Sequence, residues 1–197
     1  MYPLRGRRVL LTAFLLSACI VPEPAIRPQA YDFGPPPALV TETAAALPVL
    51  QVLDVQAPRG LDGNFVHYRL LDVDANALRP YANSRWAMSP SQLLTQRMKQ
   101  RLARQGAVVG SGEARAALLL KTELEQFEQV FDSAGNSRGV VRLRASLIRE
   151  RRLLAQQTFS AERVAGSADA AGGVRALTLA SDAMLDSLAL WVADQGK

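Results

Sequence analysis

The sequence predicts an α+β fold: a single mixed or antiparallel sheet of about six strands with two helices packed on one face. About six segments alternate apolar and polar residues with the period of a strand, and two others repeat apolar residues with the period of a helix. In the strand Val141–Leu147, Arg142 and Arg144 fall on the side opposite the apolar residues, so one face of the sheet is solvated. Both helices are therefore expected on the other face.

Three strands are predicted in the first part of the body. They cover Val49–Val55, Phe65–Leu70 and Leu78–Trp86. The first has one fully apolar face, and the second places Val66, Tyr68 and Leu70 on one side and His67 and Arg69 on the other. Gly- and Pro-containing or polar segments separate the three and predict turns.

A helix is predicted directly after these strands. Ser89 is expected to cap it, with Pro90 at the first helical position and Gln92 completing a capping box. Apolar residues then repeat every fourth position, and Gly106 is expected to end the helix near Gln105.

The remaining sequence predicts a three-stranded meander followed by a second helix. The meander comprises the strand Ala116–Phe131, a turn at Ser133–Asn136, the strand Val141–Leu147, a turn at Arg149–Arg152 and the strand Leu154–Val164. The second turn is mixed in sign and is expected to be a solvated hairpin tip. The helix Val174–Ala193 has a wide apolar stripe, with Asp182 and Asp186 on the opposite side.

The amino-terminal 18 residues have the organisation of a secretory signal. Arg5, Arg7 and Arg8 precede the uncharged run Val9–Leu16, which is far shorter than the roughly 20 residues of a membrane-spanning helix. No later stretch is expected to be long and apolar enough to span a membrane. Without the three signal arginines the net charge of +5 falls to about +2, which gives no indication of a nucleic-acid partner.

Cys19 is the only cysteine of the chain and directly follows Leu16-Ser17-Ala18. This string resembles the lipobox of bacterial lipoproteins. The resemblance implies that the Cys19 thiol takes a diacylglycerol and that signal peptidase II recognises Leu16, Ser17 and Ala18. It also implies cleavage before Cys19 and acylation of the new amino terminus. The alternative is an ordinary signal peptide with an incidental cysteine, which would have no disulfide partner in this chain.

Residues 19–47 are rich in proline and alanine and are predicted to be an extended tether between the signal, residues 1–18, and a folded domain, residues 48–197. Fully extended, such a tether would reach at most roughly 90 Å. It contains a small aromatic island, Tyr31-Asp32-Phe33-Gly34. This island either docks on the domain as an edge segment or belongs to the tether.

The sequence offers little catalytic or metal-binding chemistry. His67 is the only histidine, and no serine lies in a nucleophile-elbow pattern with it. Asp72, Asp74 and Asn76 have the spacing of a calcium loop, but the glycine and the bidentate glutamate that such a loop requires are missing. We therefore expect no catalytic residues, no metal and no cofactor beyond the covalent lipid on Cys19.

Two groups of residues are candidates for contact with a partner. Arg97, Arg101 and Arg104 line one flank of the first helix and could face anionic headgroups or an acidic partner, or be solvated. Arg85 and Trp86 precede that helix and either contact a partner or, in the case of the indole, close the junction between strand and helix.

Several of these features together resemble one known family. They are the lipobox, the proline-rich tether with Tyr31-Asp32-Phe33-Gly34-Pro35, the strand Phe65–Leu70, Leu78 and Tyr81, and Arg85-Trp86-Ala87 at the start of an amphipathic helix. The chain is similar here to the ABC-type transport auxiliary lipoprotein family. One departure is Met88-Ser89-Pro90, where an acidic residue and an earlier proline are expected. Tyr81 joins the candidate partner contacts through this resemblance.

The resemblance implies a non-enzymatic protein that works beside MCE-domain proteins and an ABC transporter in moving lipid between two membranes. Because Ile20 and not aspartate follows Cys19, the anchor is expected in the outer membrane, facing the periplasm. The alternatives are a lipid-binding shuttle with its own apolar pocket and, less favoured, a periplasmic hydrolase using His67. Leu179 and Leu190 lie away from the main stripe of the last helix and predict a homo-oligomer.

Overall fold

The computed structural model describes residues 27–37, 47–110 and 116–196. Eight strands and two helices follow one another in these ranges. They are β1 (Gln29–Tyr31), β2 (Leu47–Val52), β3 (Phe65–Leu70), β4 (Asp74–Trp86), α1 (Pro90–Leu102), β5 (Gly106–Val109), β6 (Leu118–Ser133), β7 (Asn136–Arg149), β8 (Arg152–Val164) and α2 (Ala170–Gln195). A short 3-10 turn, Arg59–Leu61, lies between β2 and β3.

The sixth strand, β6, organises the single mixed sheet. Along one edge it pairs with β7 over almost its whole length, and β7 pairs in turn with β8. Its other edge is divided, because β2 pairs with its beginning at Leu118–Leu120 and β3 with its end at Gln129–Phe131. The order β1-β4-β3-β6-β2-β5 therefore describes one side of the sheet, and β7 and β8 extend the other. The predicted α+β class is confirmed, with two short strands more than the sequence predicts.

The hydrophobic core lies between the sheet and the two helices. Leu120 of β6, Leu143 of β7 and Leu177 of α2 are each completely buried there. Arg142 and Arg144 point to the opposite face, where Arg144 pairs with Glu123. The alternation in β7 thus separates a packed face from a solvated one, as its sequence predicts.

Two glycines let α2 approach the sheet closely. A Cβ at Gly139 of β7 would lie 2.5 Å from the backbone nitrogen of Leu177, and one at Gly173 of α2 would lie 2.0 Å from Oε1 of Gln129. No side chain larger than hydrogen fits at either position without movement of the helix or of a buried glutamine. Helix α2 begins at Ala170, where Asp169 caps it, and therefore includes Gly172 and Gly173. The sequence predicts a start at Val174.

The structure corrects three expectations about elements. Helix α1 ends at Leu102, and Gly106 opens the extra strand β5, which pairs in parallel with β2. The return strand begins at Asp74, four residues before Leu78, and contains two register shifts against β3. Helix α2 is long and apolar enough to span a membrane by length and composition, contrary to expectation, but half of that stretch is buried inside the body. It packs as a core helix.

Candidate partner-docking surfaces

The aromatic island of the amino-terminal segment is docked on the body. β1 pairs in parallel with the end of β4, with Tyr31 opposite Trp86. Phe33 is only 7% exposed, and its ring meets the indole of Trp86 edge-on at 5.8 Å and the ring of Phe127 at 6.2 Å. Of the two alternatives for Tyr31-Asp32-Phe33-Gly34, the structure shows docking, and the residues from Gln29 to Pro37 form part of the folded domain.

The arginine row of α1 holds this segment against α2. Arg97 is 6% exposed, donates from Nη2 to the carbonyl oxygen of Phe33 at 2.6 Å and lies 3.1 Å from Oδ1 of Asp182. Arg101 pairs with Asp186, and Arg104 donates over 3.4 Å to the carbonyl of Pro37. Arg97, Arg101 and Arg104 are predicted as possible partner contacts, and in the structure all three have partners within the chain.

The carboxylates that face the row belong to α2. Burial raises the pKa of Asp182 above its ordinary value, and the neighbouring Arg97 guanidinium opposes this shift. Asp182 and Asp186 lie outside the apolar stripe of α2, as the helical wheel predicts, and point toward α1. The sequence does not show which helix flank would receive the arginines, because that depends on how the two helices pack.

Trp86 and its neighbours build the junction between β4 and α1. The indole is 1% exposed, which corresponds to the junction-closing alternative. The Arg85 guanidinium lies 4.3 Å from the centre of the Phe65 ring and donates to the carbonyl oxygens of Tyr81 and Ser84. Of these residues, half-buried Arg85 and exposed Phe65 remain within reach of a partner.

Tyr81 belongs to a buried polar chain. Its hydroxyl donates to Oε1 of Gln129 at 2.8 Å, and Nε2 of the fully buried Gln129 donates to Oγ of Ser137 at 2.8 Å. Burial raises the pKa of Tyr81 to about 12, so the hydroxyl remains protonated at neutral pH. Tyr81 therefore supports the sheet, with the ring of Tyr68 4.6 Å away.

His67 lies on β3, half-buried, and burial lowers its pKa while nearby Glu128 opposes the shift. The carboxylate of Glu128 accepts two hydrogen bonds from Arg69, of 3.0 and 2.9 Å.

The segment with the spacing of a calcium loop forms part of the β3–β4 hairpin. There the side chain of Asp74 accepts a hydrogen bond from the backbone of Asn76. Among the residues that the structure describes, no group of three or more acidic, His or Cys side chains could hold a metal ion.

A surface that the sequence analysis did not single out lies at the β7–β8 end of the sheet. Cross-strand pairing places Leu119, Ile148 and Leu153 side by side on the solvated face. Leu153 is 59% exposed and the adjoining Leu154 is 42% exposed. We call Leu119, Ile148, Leu153 and Leu154, with the exposed Arg151 and Arg152, the distal patch.

The turn that carries the arginines of the distal patch has an uncommon backbone. Glu150 and Arg151 have φ of 49° and 66°, which is the left-handed region at both central positions of a two-residue hairpin. Asn and Gly are favoured at these positions, and other residues in the left-handed region carry backbone strain, which is found most often at functional sites and switch regions. An open groove of about 830 Å³ runs beside it, lined by Leu119, Ile148 and Arg151 among others.

A second apolar surface lies where the docked segment meets α2. Tyr31, Phe33, Val174 and Leu179 line an open groove of about 610 Å³. Leu179 is 57% exposed and Leu190, further along the same helix, is 62% exposed. These are the two leucines for which the sequence predicts an interface, and the structure leaves both at the surface of a single chain.

The predicted anchor lies outside the described residues. Leu16, Ser17, Ala18 and Cys19 all precede Arg27, the first residue that the structure describes.

Among the candidate partner contacts that the structure describes, Arg97, Arg101 and Arg104 lie against α2 or the docked segment. Tyr81, Arg85 and Trp86 lie near the end of β4. The distal patch could have been found from Leu153-Leu154, two adjacent leucines beside a turn with three arginines, since exposed apolar residues next to charge are typical of interfaces.

Residues 31–189 match the model of the ABC-type transport auxiliary lipoprotein component family. A crystallised protein from Xanthomonas campestris, described with the family model DUF330, superposes with a TM-score of 0.67 at 20% identity over 89% of this chain and 91% of its own. A crystallised uncharacterised protein gives a TM-score of 0.65 at 18% identity, over 83% and 97% of the two chains. A hypothetical protein from Chlamydia trachomatis gives 0.52 at 10% identity, over 77% and 97%. No curated protein sequence matches the chain significantly.

Proposed function

Because the chain belongs to the ABC-type transport auxiliary lipoprotein family, we propose that it is the docking component of an MCE-type ABC lipid transport system. In this proposal the acyl chains on Cys19 hold it to the outer membrane and the folded body faces the periplasm. The observation that carries the docking role is the distal patch, which exposes Leu153 and Leu154 beside two arginines on an otherwise polar sheet face.

The anchor is the first part of the proposal. An S-linked diacylglycerol with a further acyl chain at the amino terminus contributes about 0.8 kcal/mol for each buried CH₂, which is enough for stable attachment. The described sheet and helices begin at Gln29, and the core between them is built from residues of that part of the chain. Cys19→Ser should therefore move the protein from the membrane to the soluble fraction, abolish its function and leave the circular dichroism of the body unchanged.

Docking is the second part, and the chemistry of the distal patch limits the partner. Burying Leu153 and Leu154 contributes about 25 cal/mol per Å² of apolar surface, and a partner must at the same time satisfy Arg151 and Arg152. An apolar surface rimmed by carboxylates meets both needs. We infer that the MCE-domain partner presents such a surface to this end of the sheet.

Site-specific crosslinking in membranes tests this assignment. A photoreactive amino acid at Leu154 should recover an MCE-domain protein, whereas the same residue at Arg163, an exposed position toward the other end of β8, should not. Leu153→Asp together with Arg152→Glu should remove the crosslink and leave the protein anchored. Repeated recovery of an unrelated assembly from Leu154 would reject the docking role.

A lipid-binding shuttle is the alternative, and it requires an apolar pocket between sheet and helices. Leu120, Leu143 and Leu177 of the three facing elements are each 0% exposed, and α2 approaches β7 to backbone contact at Gly139. This packing favours docking over carriage. Native mass spectrometry of the soluble body separates the two functions, since a shuttle retains bound lipid and a docking protein does not.

A further inference from the structure

The direction of β1 fixes the side from which the membrane anchor reaches the body. β1 runs parallel to β4, and β4 leads away from the turn that joins it to β3. The chain before Gln29 therefore arrives from the side of the β3–β4 turn. Pro28 reinforces this direction, because proline fixes its own φ and favours an extended conformation for Arg27 before it.

The docking of β1 also makes the anchor short. Between Cys19 and Gln29 the chain spans at most about 35 Å, instead of the roughly 90 Å available if the whole segment to Leu47 were free. By the register of β3 with β4, the β3–β4 turn lies about 17 Å beyond the level of β1, on the side from which the anchor comes. An extended anchor thus places the lipid-bearing sulfur no more than about 18 Å past this turn.

The end of the body that meets the anchor carries exposed apolar side chains. Leu71 and Val73 in the β3–β4 turn are 40% and 65% exposed, and Val164, where β8 ends, is 77% exposed. The chain directions of β3, β6 and β8 bring all three to the same end of the sheet. We call Leu71, Val73 and Val164 the proximal tip; the distal patch lies at the opposite end of β6 and β8.

Charge at this end does not oppose contact with lipid headgroups. Arg138 pairs with both Asp132 and Glu162 and offsets one of their two charges, and the Asp74 carboxylate accepts the backbone N–H of Asn76. Asp72 is left exposed beside two apolar neighbours. The net negative charge that remains is compatible with a zwitterionic surface, at which Leu71 and Val73 would reach the headgroup boundary.

We propose that the proximal tip rests on the bilayer that holds Cys19, so that the body stands on the membrane with the distal patch directed away from it. This orientation rests on the lipid anchor of the proposed function. It explains how a docking surface is presented to a partner that spans the periplasm: the short anchor and the direction of β1 hold the body upright and leave the β7–β8 turn free.

The chain offers a clean test, because acylation of its only cysteine leaves an introduced cysteine as the sole thiol. A fluorophore on Val73→Cys and one on Leu154→Cys are compared in full-length acylated protein on phosphatidylcholine vesicles that contain a nitroxide-labelled lipid. The two positions lie about 40 Å apart along the sheet. We expect the label at position 73 to lose most of its fluorescence and the label at position 154 to retain it.

Equal quenching at the two positions, or stronger quenching at position 154, would overturn the orientation. A variant with about 20 Gly and Ser residues inserted after Pro24 tests the role of the short anchor, since its reach grows by more than the length of the body. Quenching at position 73 should then fall toward that at position 154, and unchanged quenching would overturn the tether-imposed orientation. Mass spectrometry of the amino-terminal peptide identifies failure of acylation separately, because Cys19 would then take the label too.

Discussion

Arg97 is the residue whose role changes most between sequence and structure. On a helical wheel it belongs to a row of three cations beside the apolar stripe, which indicates either solvation or an anionic partner. In the structure it is 6% exposed and joins three chain segments, since it contacts the Phe33 carbonyl and the Asp182 carboxylate from its place in α1. Arg104 in the same row is exposed and has one long bond to Pro37.

We expect Arg97→Met to lower the free energy of unfolding by about 3 kcal/mol, because it leaves a partly buried carboxylate without its ion-pair partner and a buried carbonyl without its donor. Arg104→Met should change it by no more than about 0.5 kcal/mol. Urea denaturation of the soluble Cys19→Ser protein measures both. Arg97→Met with Asp182→Leu should recover part of the loss; equal effects of the two single variants would contradict the role assigned to Arg97.

His67 gives the protein a defined dependence of stability on pH. Burial lowers its pKa in the folded state, so the unfolded chain binds the proton more tightly. Its contribution to stability is therefore complete above the ordinary pKa near 6.5 and is lost as the pH falls from there through the lowered value. Glu128 reduces the size of this effect but does not reverse it.

The free energy of unfolding at pH 5 should consequently fall less, relative to pH 7.5, in His67→Gln than in the unchanged protein. Denaturant titrations at the two pH values, with Arg163→Gln as an exposed control on another strand, measure this difference. A decrease of the same size in all three proteins would show that other groups control the acid response.

At the level of elements, the strongly patterned segments were predictable and the short parallel ones were not. β3 coincides with its predicted bounds, and the capping box of Ser89 and Gln92 is present at the start of α1. β1 and β5 have three and four residues, and each forms by pairing with a distant strand. Three or four residues are too few for a periodic pattern, so such strands depend on tertiary contact.

The start of α2 was missed for a different reason. Gly172 and Gly173 are poor helix formers, and a sequence reading places them in a loop. Because Gly173 has no side chain, the Gln129 side chain fits against α2. There Gln129 accepts a hydrogen bond from Tyr81 and donates one to Ser137. Close contact with the sheet therefore outweighs a propensity cost of about 1 kcal/mol at each glycine.

The contact of α2 with β7 makes Gly139 a sensitive position. Its absent Cβ would lie 2.5 Å from Leu177 N and 2.6 Å from Ala176 C, and backbone atoms cannot move aside as a side chain can. Gly139→Ala should destabilise the protein by about 2 kcal/mol or more. Gly166→Ala, with no atom within 4 Å of the new methyl group, should be neutral or slightly stabilising. Thermal unfolding of both variants measures the difference, and equal melting temperatures would contradict this account of helix packing.

For the whole molecule, the described surfaces divide by position along the sheet. The proximal tip, toward which the amino-terminal end of β1 is directed, lies at one end and the distal patch at the other. The solvated sheet face between them carries ion pairs such as Arg144 with Glu123 and Arg69 with Glu128. The exposed side of α2 lies at neither end of the sheet. Leu179 and Leu190 lie about three helical turns apart and thus on one face of the helix, roughly at right angles to the line that joins the two ends.

An interface on this side of α2 would join copies laterally and leave both ends free, so oligomerisation is compatible with the proposed anchoring and docking. We expect the soluble Cys19→Ser protein to associate at micromolar concentration, and Leu179→Asp with Leu190→Asp to dissociate it, because carboxylates cannot be buried in an apolar contact without large cost. Leu153→Asp, at a similarly exposed leucine of the distal patch, is the matched control and should leave the oligomer intact. Sedimentation velocity over a range of concentrations measures the masses. A monomeric unchanged protein would refute the interface, and dissociation by Leu153→Asp alone would move it from α2 to the end of the sheet.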